Sequence, residues 1–388
     1  MSGFVAELLP ISTEGPLVRV ELAADRRPDD LAFAAESRLV DDLGARLRAD
    51  PRVAQGGLRV DAGCTYARCT VALDGLATSM PAGLAALDAA MASPLPPLDA
   101  AARRVVRREW RHAWRAPTRV FDAALRLAAG ETTRAPYAIK PRFSLFVHPP
   151  RPVDDPLQWT SLVATGAVDA FGESWTTLVE HTRARLHVSP DVSPAPPLAA
   201  VPATPRLLLV DNPGETRATI GLVWASGPDD AVRDVLLAGD FQSVLVQRLR
   251  ERETYAYDVS AEHGSAWAGR SGGWAGASFQ VPLESAGPAL AAAKEELARL
   301  PTLPAATVAG ATRRLQASYG ELADTLAGRL ALRQLPPPPP APPPTLAPVG
   351  LLAIVVMAPE EALSGLESFG AAEHTDACTV IYGGRCPE

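Results

Sequence analysis

The sequence has little of what builds stapled, nucleic-acid-binding or membrane-spanning proteins. Only four cysteines occur in 388 residues. None of Cys64, Cys69, Cys378 and Cys386 has the Cys-x-x-Cys spacing of a zinc knuckle or redox centre. A disulfide-stapled miniature scaffold is excluded, and the four read as thiols in a reducing, cytoplasmic compartment. Basic charge is not in excess: 37 Lys and Arg against 44 Asp and Glu leave a net charge of -7, so no chain-wide field attracts phosphate. The arginine-rich run from Arg103 to Arg115 reads as the solvated face of a helix, and no nucleic-acid partner is expected. Long apolar runs are also missing. The most apolar stretch, Val349 to Ala358, is bounded by Pro348 and Pro359 and falls far short of the ~20 residues that cross a bilayer, so no membrane partner is expected. The opening Met1 to Glu7 lacks the basic and then apolar pattern of a secretory leader. The six histidines stand in no nucleophile context.

What is present is core. With 47% apolar residues, a chain of this length buries enough surface for two ordinary domains. The alternating run Leu17 to Ala23 predicts a strand. A helix follows from Asp29 to Ala49, with Leu31, Ala35, Leu39, Leu43 and Leu47 at near-helical spacing. Two β-type runs come next, Gly57 to Ala62 and Thr65 to Leu73, then helices over Pro81 to Met91, Leu98 to Trp114 and Thr118 to Ala129. The second half repeats that order. It has a strand at Ala218 to Ala225, a helix at Asp230 to Arg250, hairpin strands at Tyr255 to Glu262 and Gly273 to Val281, and helices at Gly287 to Leu300 and Ala305 to Arg329. The last elements are a strand at Leu351 to Met357, a helix at Pro359 to Phe369 and a final strand at Thr379 to Tyr382.

A duplication at an offset of roughly 200 residues predicts two homologous α+β domains, each an antiparallel-rich sheet with helices packed on one face. The expected boundaries are residues 1–190 and 206–388, joined by a Pro-, Ala- and Ser-rich linker at 191–205. Residues 336–348, dominated by proline, are a stiff polyproline strap leading to the penultimate strand, or a ligand for a Pro-binding module. The glycine-rich segment from Gly264 to Gly276 has no phosphate-loop order and reads as a hairpin loop.

The run from Leu245 to Tyr257, LVQRLRERETYAY, resembles the signature in the C-terminal half of the insulinase/pitrilysin peptidases, particularly their mitochondrial-processing-peptidase-type branch. That signature reads Leu-Arg-Glu, two variable positions, Gly, an apolar residue, one variable position and Tyr. Here Thr254 replaces the Gly, a departure that alters the turn while leaving Arg250 and Tyr257 at the family spacing. Upstream, Leu209 to Thr216 is similar to the family's strand entry.

The resemblance also makes the first half informative. Catalytic members carry Gly-Leu-Ala-His-x-x-Glu-His, whose histidines hold zinc from one helix face while the glutamate activates water. Asp30 to Ser37 aligns with it without a gap, and Phe33 and Ser37 stand at the two histidine positions, with only Glu36 kept. Glu109 stands where the family's third ligand falls; otherwise Glu36 and Glu109 are ordinary helix-surface acids. The implied chain is the non-zinc-binding subunit of a two-subunit bacterial member. It needs no cofactor of its own, and zinc is expected in a homologous H-x-x-E-H partner that shares a peptide substrate, such as a precursor or leader peptide. Arg250 and Tyr257 then reach the substrate carbonyl in the partner's site. Two alternatives stay open. Arg250 can simply complement a helix C-terminus, and Tyr257 can be one more strand aromatic; or the chain is a non-enzymatic peptide-binding or scaffolding protein that retains the fold.

Overall fold

A computed structural model describes residues 4–10, 16–25, 33–64, 68–93, 104, 108, 111–130, 159–185, 202–263, 273–332, 339, 341–343 and 345–386. The chain divides into two compact units. The first comprises Met1–Trp110, Lys140–Pro194 and Leu322–Arg333, and the second Arg111–Ile139, Ala195–Glu321 and Gln334–Glu388.

The first unit is built on strands β1 (Val5–Pro10), β2 (Leu17–Asp25), β3 (Arg59–Cys64), β4 (Arg68–Leu76) and β5 (Ser161–Gly166) in the order β1-β5-β2-β4-β3. Only the β1/β5 pair is parallel. Alternation along β2 sends Val18, Val20 and Leu22 into the core with Val71 and Leu73 of β4. Helices Phe33–Ala49, Met80–Ala92 and Gly172–Arg185 close that core with Val40, Leu47, Leu84, Leu87 and Leu178. The opposite face of β2 carries Arg19 and Glu21, and Arg19 pairs with Asp74 of β4 at 2.7 Å.

In the second unit β6 (Arg206–Asp211), β7 (Arg217–Ala225), β8 (Val259–His263), β9 (Trp274–Pro282), β10 (Leu351–Ala358) and β11 (Ala371–Asp376) run in the order β11-β6-β10-β7-β9-β8. Its core packs Ile220, Leu222 and Trp224 of β7 and Ile354 and Val356 of β10 against helices Asp230–Leu237, Ala286–Arg299 and Ala305–Ala323. Both units thus have the α+β architecture and antiparallel-rich sheets expected from the duplicated element order.

The halves also exchange a helix. Pro117–Ala128, from the first half of the sequence, lies on β6, β10 and β7 of the second unit, and Leu326–Leu332 lies on β2 and β5 of the first. Gly221 of β7 permits the close approach of Pro117–Ala128. A Cβ there would stand 2.5 Å from Leu125 Cδ2 and 2.9 Å from Phe121 Cζ, well inside van der Waals contact.

Several sequence expectations need correction. The continuous helix Asp230 to Arg250 is broken into Asp230–Leu237 and a π-helix, Val246–Arg252. Between them Ser243 Oγ donates to the Val235 carbonyl and accepts from the Asp240 amide, both at 2.9 Å, which diverts the chain from the helical ladder. Ala305 to Arg329 likewise divides at Thr325, whose Oγ1 accepts from the Gly328 amide at 2.9 Å and starts Leu326–Leu332. Pro359 to Phe369 forms only the short helix Glu360–Leu363 and a 3-10 turn, Glu367–Phe369, separated by Gly365 at φ 88°.

The final strand placed at Thr379 to Tyr382 is a helix, Ala377–Tyr382. Asp376 caps it by accepting from the Thr379 amide at 2.8 Å, and Gly383 ends it at φ 69°. The cysteines are not free thiols: Cys64 bonds Cys69, its register partner across β3 and β4, and Cys378 bonds Cys386. The described parts of the proline strap are fastened to the second unit. Gln316 Nε2 donates to the Pro339 carbonyl at 2.9 Å, and Leu346 is buried in the core. Most of the expected Leu98 to Trp114 helix, and residues 264–272, lie outside the described residues.

Candidate functional site

Phe33 to Ser37 forms the first turn of the Phe33–Ala49 helix. Helical geometry places positions 33 and 37 one turn apart on one face, the spacing of a two-ligand metal motif. The residues there do not suit a metal. A phenyl ring has no lone pair to donate, a serine hydroxyl is a poor zinc ligand, and a catalytic zinc requires three protein ligands. Ser37 is half-buried; the side chains of Phe33 and Glu36, and all of Glu109, lie outside the described residues. Among the described residues, no three His, Cys, Asp or Glu side chains gather as a metal-binding group. No chemical step is therefore assigned to a metal in this chain.

Arg250 and Tyr257 do come together. Buried Leu245 and Leu249 anchor the π-helix, and its wider turn ends with the Glu253 amide donating to the Arg248 carbonyl at 3.1 Å. The amides of Tyr255 and Ala256 then both donate to the Leu249 carbonyl, at 2.7 and 3.0 Å, folding the chain back. That reversal depends on Thr254, which has φ 54°, the left-handed conformation a glycine would adopt without strain. The turn is therefore kept, and it is the threonine that is strained. Thr254 Oγ1 donates to the Glu253 carbonyl at 2.7 Å, a local bond that partly offsets this cost.

The reversal stacks the Arg250 guanidinium 4.9 Å from the Tyr257 ring centroid and 5.0 Å from that of Phe241. Each contact contributes roughly 0.5–1 kcal/mol at such an exposed position. Phe241 sits in the break between the two helices and was not anticipated. Its carbonyl accepts from Gln247 Nε2 at 2.6 Å, which pins the loop to the π-helix. Phe241 is 64% exposed and Tyr257 72% exposed, so two large rings face solvent with a cation between them. Arg250 Nε also lies 3.4 Å from Glu251 Oε1, a partly solvated pair of small energetic weight. The only sequence signal for Phe241 was an aromatic beside Gly239 and Asp240 in an otherwise helical pattern.

Tyr257 also lines a cavity of about 430 Å³ in the second unit, between the Pro117–Ala128 helix and strands β7, β9 and β8. The volume is within the range of small-ligand and side-chain sites. Strand β8 is the terminal strand of its sheet, next to that opening.

No protein-family model matches the chain, and no curated protein is detectably similar in sequence. Solved structures are similar in fold. The peptidase M16 inactive domain from Pseudomonas fluorescens superimposes with a TM-score of 0.64 at 14% identity, over 92% of this chain and 96% of that one. A putative M16-like peptidase from Alicyclobacillus acidocaldarius gives 0.60 at 16% identity, over 92% and 96%. The periplasmic protease PqqL from Escherichia coli gives 0.58 at 13% identity, over 83% of this chain and 39% of that longer one. By its fold, the chain is similar to M16-type, that is insulinase-like, peptidase proteins along nearly its whole length.

Proposed function

We propose that this chain is the non-zinc-binding subunit of a heterodimeric insulinase-like metallopeptidase, binding peptide and completing the active site of a homologous H-x-x-E-H partner that carries the zinc. The observation that carries this is the Arg250 stack: a guanidinium held between two exposed rings, beside a cavity, on a chain whose own metal positions hold Phe33 and Ser37. In that role Arg250 supplies a fixed positive charge to the peptide carbonyl oxygen as it becomes negative. Tyr257 Oη donates a hydrogen bond to the same oxygen. The degenerate positions Phe33, Glu36, Ser37 and Glu109 contribute no ligand. Precursor or leader peptides, which are extended, are suitable substrates.

The bridged cysteines bear on the compartment. With both pairs bridged, the cytoplasmic placement loses its basis, and an oxidising compartment suits the chain better. No helix among the described residues is long and apolar enough to cross a membrane.

The test is co-expression with an H-x-x-E-H homologue and a peptide-cleavage assay. Arg250→Ala and Tyr257→Phe should cut turnover by about 10²-fold or more and about tenfold respectively, with assembly intact. Unchanged turnover in both variants would reduce the pair to a structural stack. A second role, non-enzymatic peptide binding or scaffolding, is favoured by the terminal position of β8, whose outer edge suits strand addition. It predicts peptide binding with no cleavage in any pairing.

A further inference from the structure

Two kinds of group can hold a guanidinium in place, and they leave it with different chemistry. A carboxylate pairs with it, occupies its N–H donors and cancels its charge. An aromatic face attracts the cation without accepting its in-plane N–H groups, so the donors stay free. Arg250 is held in the second way, with its guanidinium 4.9 Å from the Tyr257 ring centroid and 5.0 Å from that of Phe241. Its one ion pair among the described residues joins Nε to Glu251 Oε1 at 3.4 Å, which leaves the Nη groups without a carboxylate.

A single exposed phenylalanine is ordinary on a protein surface. The mount beneath Phe241 is not. Arg314, on the Ala305–Ala323 helix, grips both neighbours of the ring: its Nε lies 2.7 Å from Asp240 Oδ2, and its Nη1 donates to Gln242 Oε1 at 3.1 Å. Asp240 Oδ1 accepts from the Gln242 amide at 2.7 Å, which closes a tight turn around position 241. The Phe241 carbonyl is tied by Gln247 to the π-helix that carries Arg250. Gly239 lets the turn lie against the preceding helix, where a Cβ would stand 2.8 Å from Val235 Cα. These contacts do not bury the ring, which stays 64% exposed; they fix where it stands.

We propose that Phe241 is a positioning residue for this site: on its Arg314 mount it holds the Arg250 guanidinium off Glu251, with the Nη donors free for the peptide carbonyl oxygen. It rests on the site-completing role proposed above and adds a residue to it. Without the ring, the nearest partner for Arg250 is Glu251, already beside its Nε. A full pair there would cancel the charge that the oxygen requires. Phe241 itself does not have to touch the peptide. Because the oxygen becomes negative only on the way to the transition state, loss of the ring falls on kcat and leaves KM in place.

The experiment uses the complex with the H-x-x-E-H homologue and steady-state cleavage of one peptide, with kcat and KM resolved. Phe241→Leu keeps an apolar side chain but has no π face. Its kcat should fall roughly two- to fivefold, the size of one cation–π contact, at unchanged KM. Phe241→Tyr should restore most of the loss. Arg314→Ala, whose lost contacts are to Asp240 and Gln242 alone, should lower kcat in the same direction. Adding Glu251→Gln to Phe241→Leu should recover activity, because the competing carboxylate is gone. In the chain by itself, labelled at arginine for NMR, the Arg250 side-chain protons should lose part of their upfield ring-current shift in Phe241→Leu. A rise in KM at unchanged kcat would make Phe241 a peptide contact and overturn the positioning role. Unchanged kcat in Phe241→Leu, where Arg250→Ala cuts turnover, would overturn it with the site-completing role intact. Arg250→Ala without effect would overturn that role itself, and this inference with it.

Discussion

Thr254 offers a sharp test of how Arg250 and Tyr257 are brought together, because the turn between them uses a conformation that threonine resists. It is the one non-glycine residue with positive φ among the described residues, at 54°. The left-handed region costs an L-residue roughly 1–2 kcal/mol, and β-branching places threonine among the poorer residues there. Asparagine tolerates the region and keeps a polar side chain for the local bond now made to the Glu253 carbonyl at 2.7 Å. Thr254→Asn should therefore stabilise the chain by about 1 kcal/mol, a rise of ~2–4 °C in melting temperature for a unit of this size. Glycine relieves the same strain, but it loosens the unfolded chain by ~0.5–1 kcal/mol and loses the hydroxyl bond, so Thr254→Gly should be close to neutral. Valine keeps the strain and loses the bond, so Thr254→Val should cost ~0.5–1.5 kcal/mol. Calorimetry on the four proteins should give the order Asn, then Gly and Thr together, then Val. If Asn falls with Val, the turn is not left-handed, and the stacking of Arg250 on Tyr257 loses its backbone support.

Other perturbations test the parts around it. Gly221→Val must push Leu125 and Phe121 off β7, and should cost ~1–3 kcal/mol in denaturant unfolding. Asp230→Ala leaves the buried Arg233 guanidinium without its partner and removes the acceptor of Ser226 Oγ at 2.8 Å. A loss of ~3–5 kcal/mol is expected, and a loss below 1 kcal/mol would refute the network. Cys64 and Cys69 are five residues apart, and a ring of that size contributes about 2 kcal/mol by loop entropy. Non-reducing mass spectrometry should find both bridges, and reductant should lower the melting temperature.

Burial, with Glu360, Asp376 and Glu361 nearby, raises the Asp211 carboxyl above its ordinary value. An acid raised on folding binds its proton more tightly in the native state, so its contribution to stability falls as pH rises from the unfolded towards the folded value and is least above it. Asp211→Asn should accordingly stabilise the chain at neutral pH, with the gain vanishing below about pH 4, in thermal melts across that range.

Much of the fold was legible in the sequence because β2, β7, β9 and β10 carry strong period-two or continuously apolar runs bounded by turns, and because the two halves repeat one order. The misplacements have local physical causes. Ala377 to Tyr382 is a six-residue run, apolar apart from Thr379 and too short for periodicity to separate helix from strand; the caps at Asp376 and Gly383 decide it. The Asp230 to Arg250 pattern hid the Ser243 diversion, because one serine in a helical pattern looks like a surface residue until its hydroxyl is seen bonded to the Val235 carbonyl. Cys64 and Cys69 become partners only once β3 and β4 are in register. The exchange of the Pro117–Ala128 helix onto the second sheet is a tertiary choice, made where Gly221 leaves room for Phe121 and Leu125.

At the candidate site, Arg250 and Tyr257 were legible through their spacing. Phe241 was not, because it joins the stack only through the helix break.

The most direct measurement is zinc content and peptidase activity of the purified chain alone and in equimolar mixture with an H-x-x-E-H homologue. Phe33 and Ser37 in place of the two histidines predict well under one zinc per chain and no cleavage by the chain alone, with cleavage appearing in the mixture and depending on Arg250. Stoichiometric zinc bound to this chain, or peptide cleavage without the partner, would contradict the account.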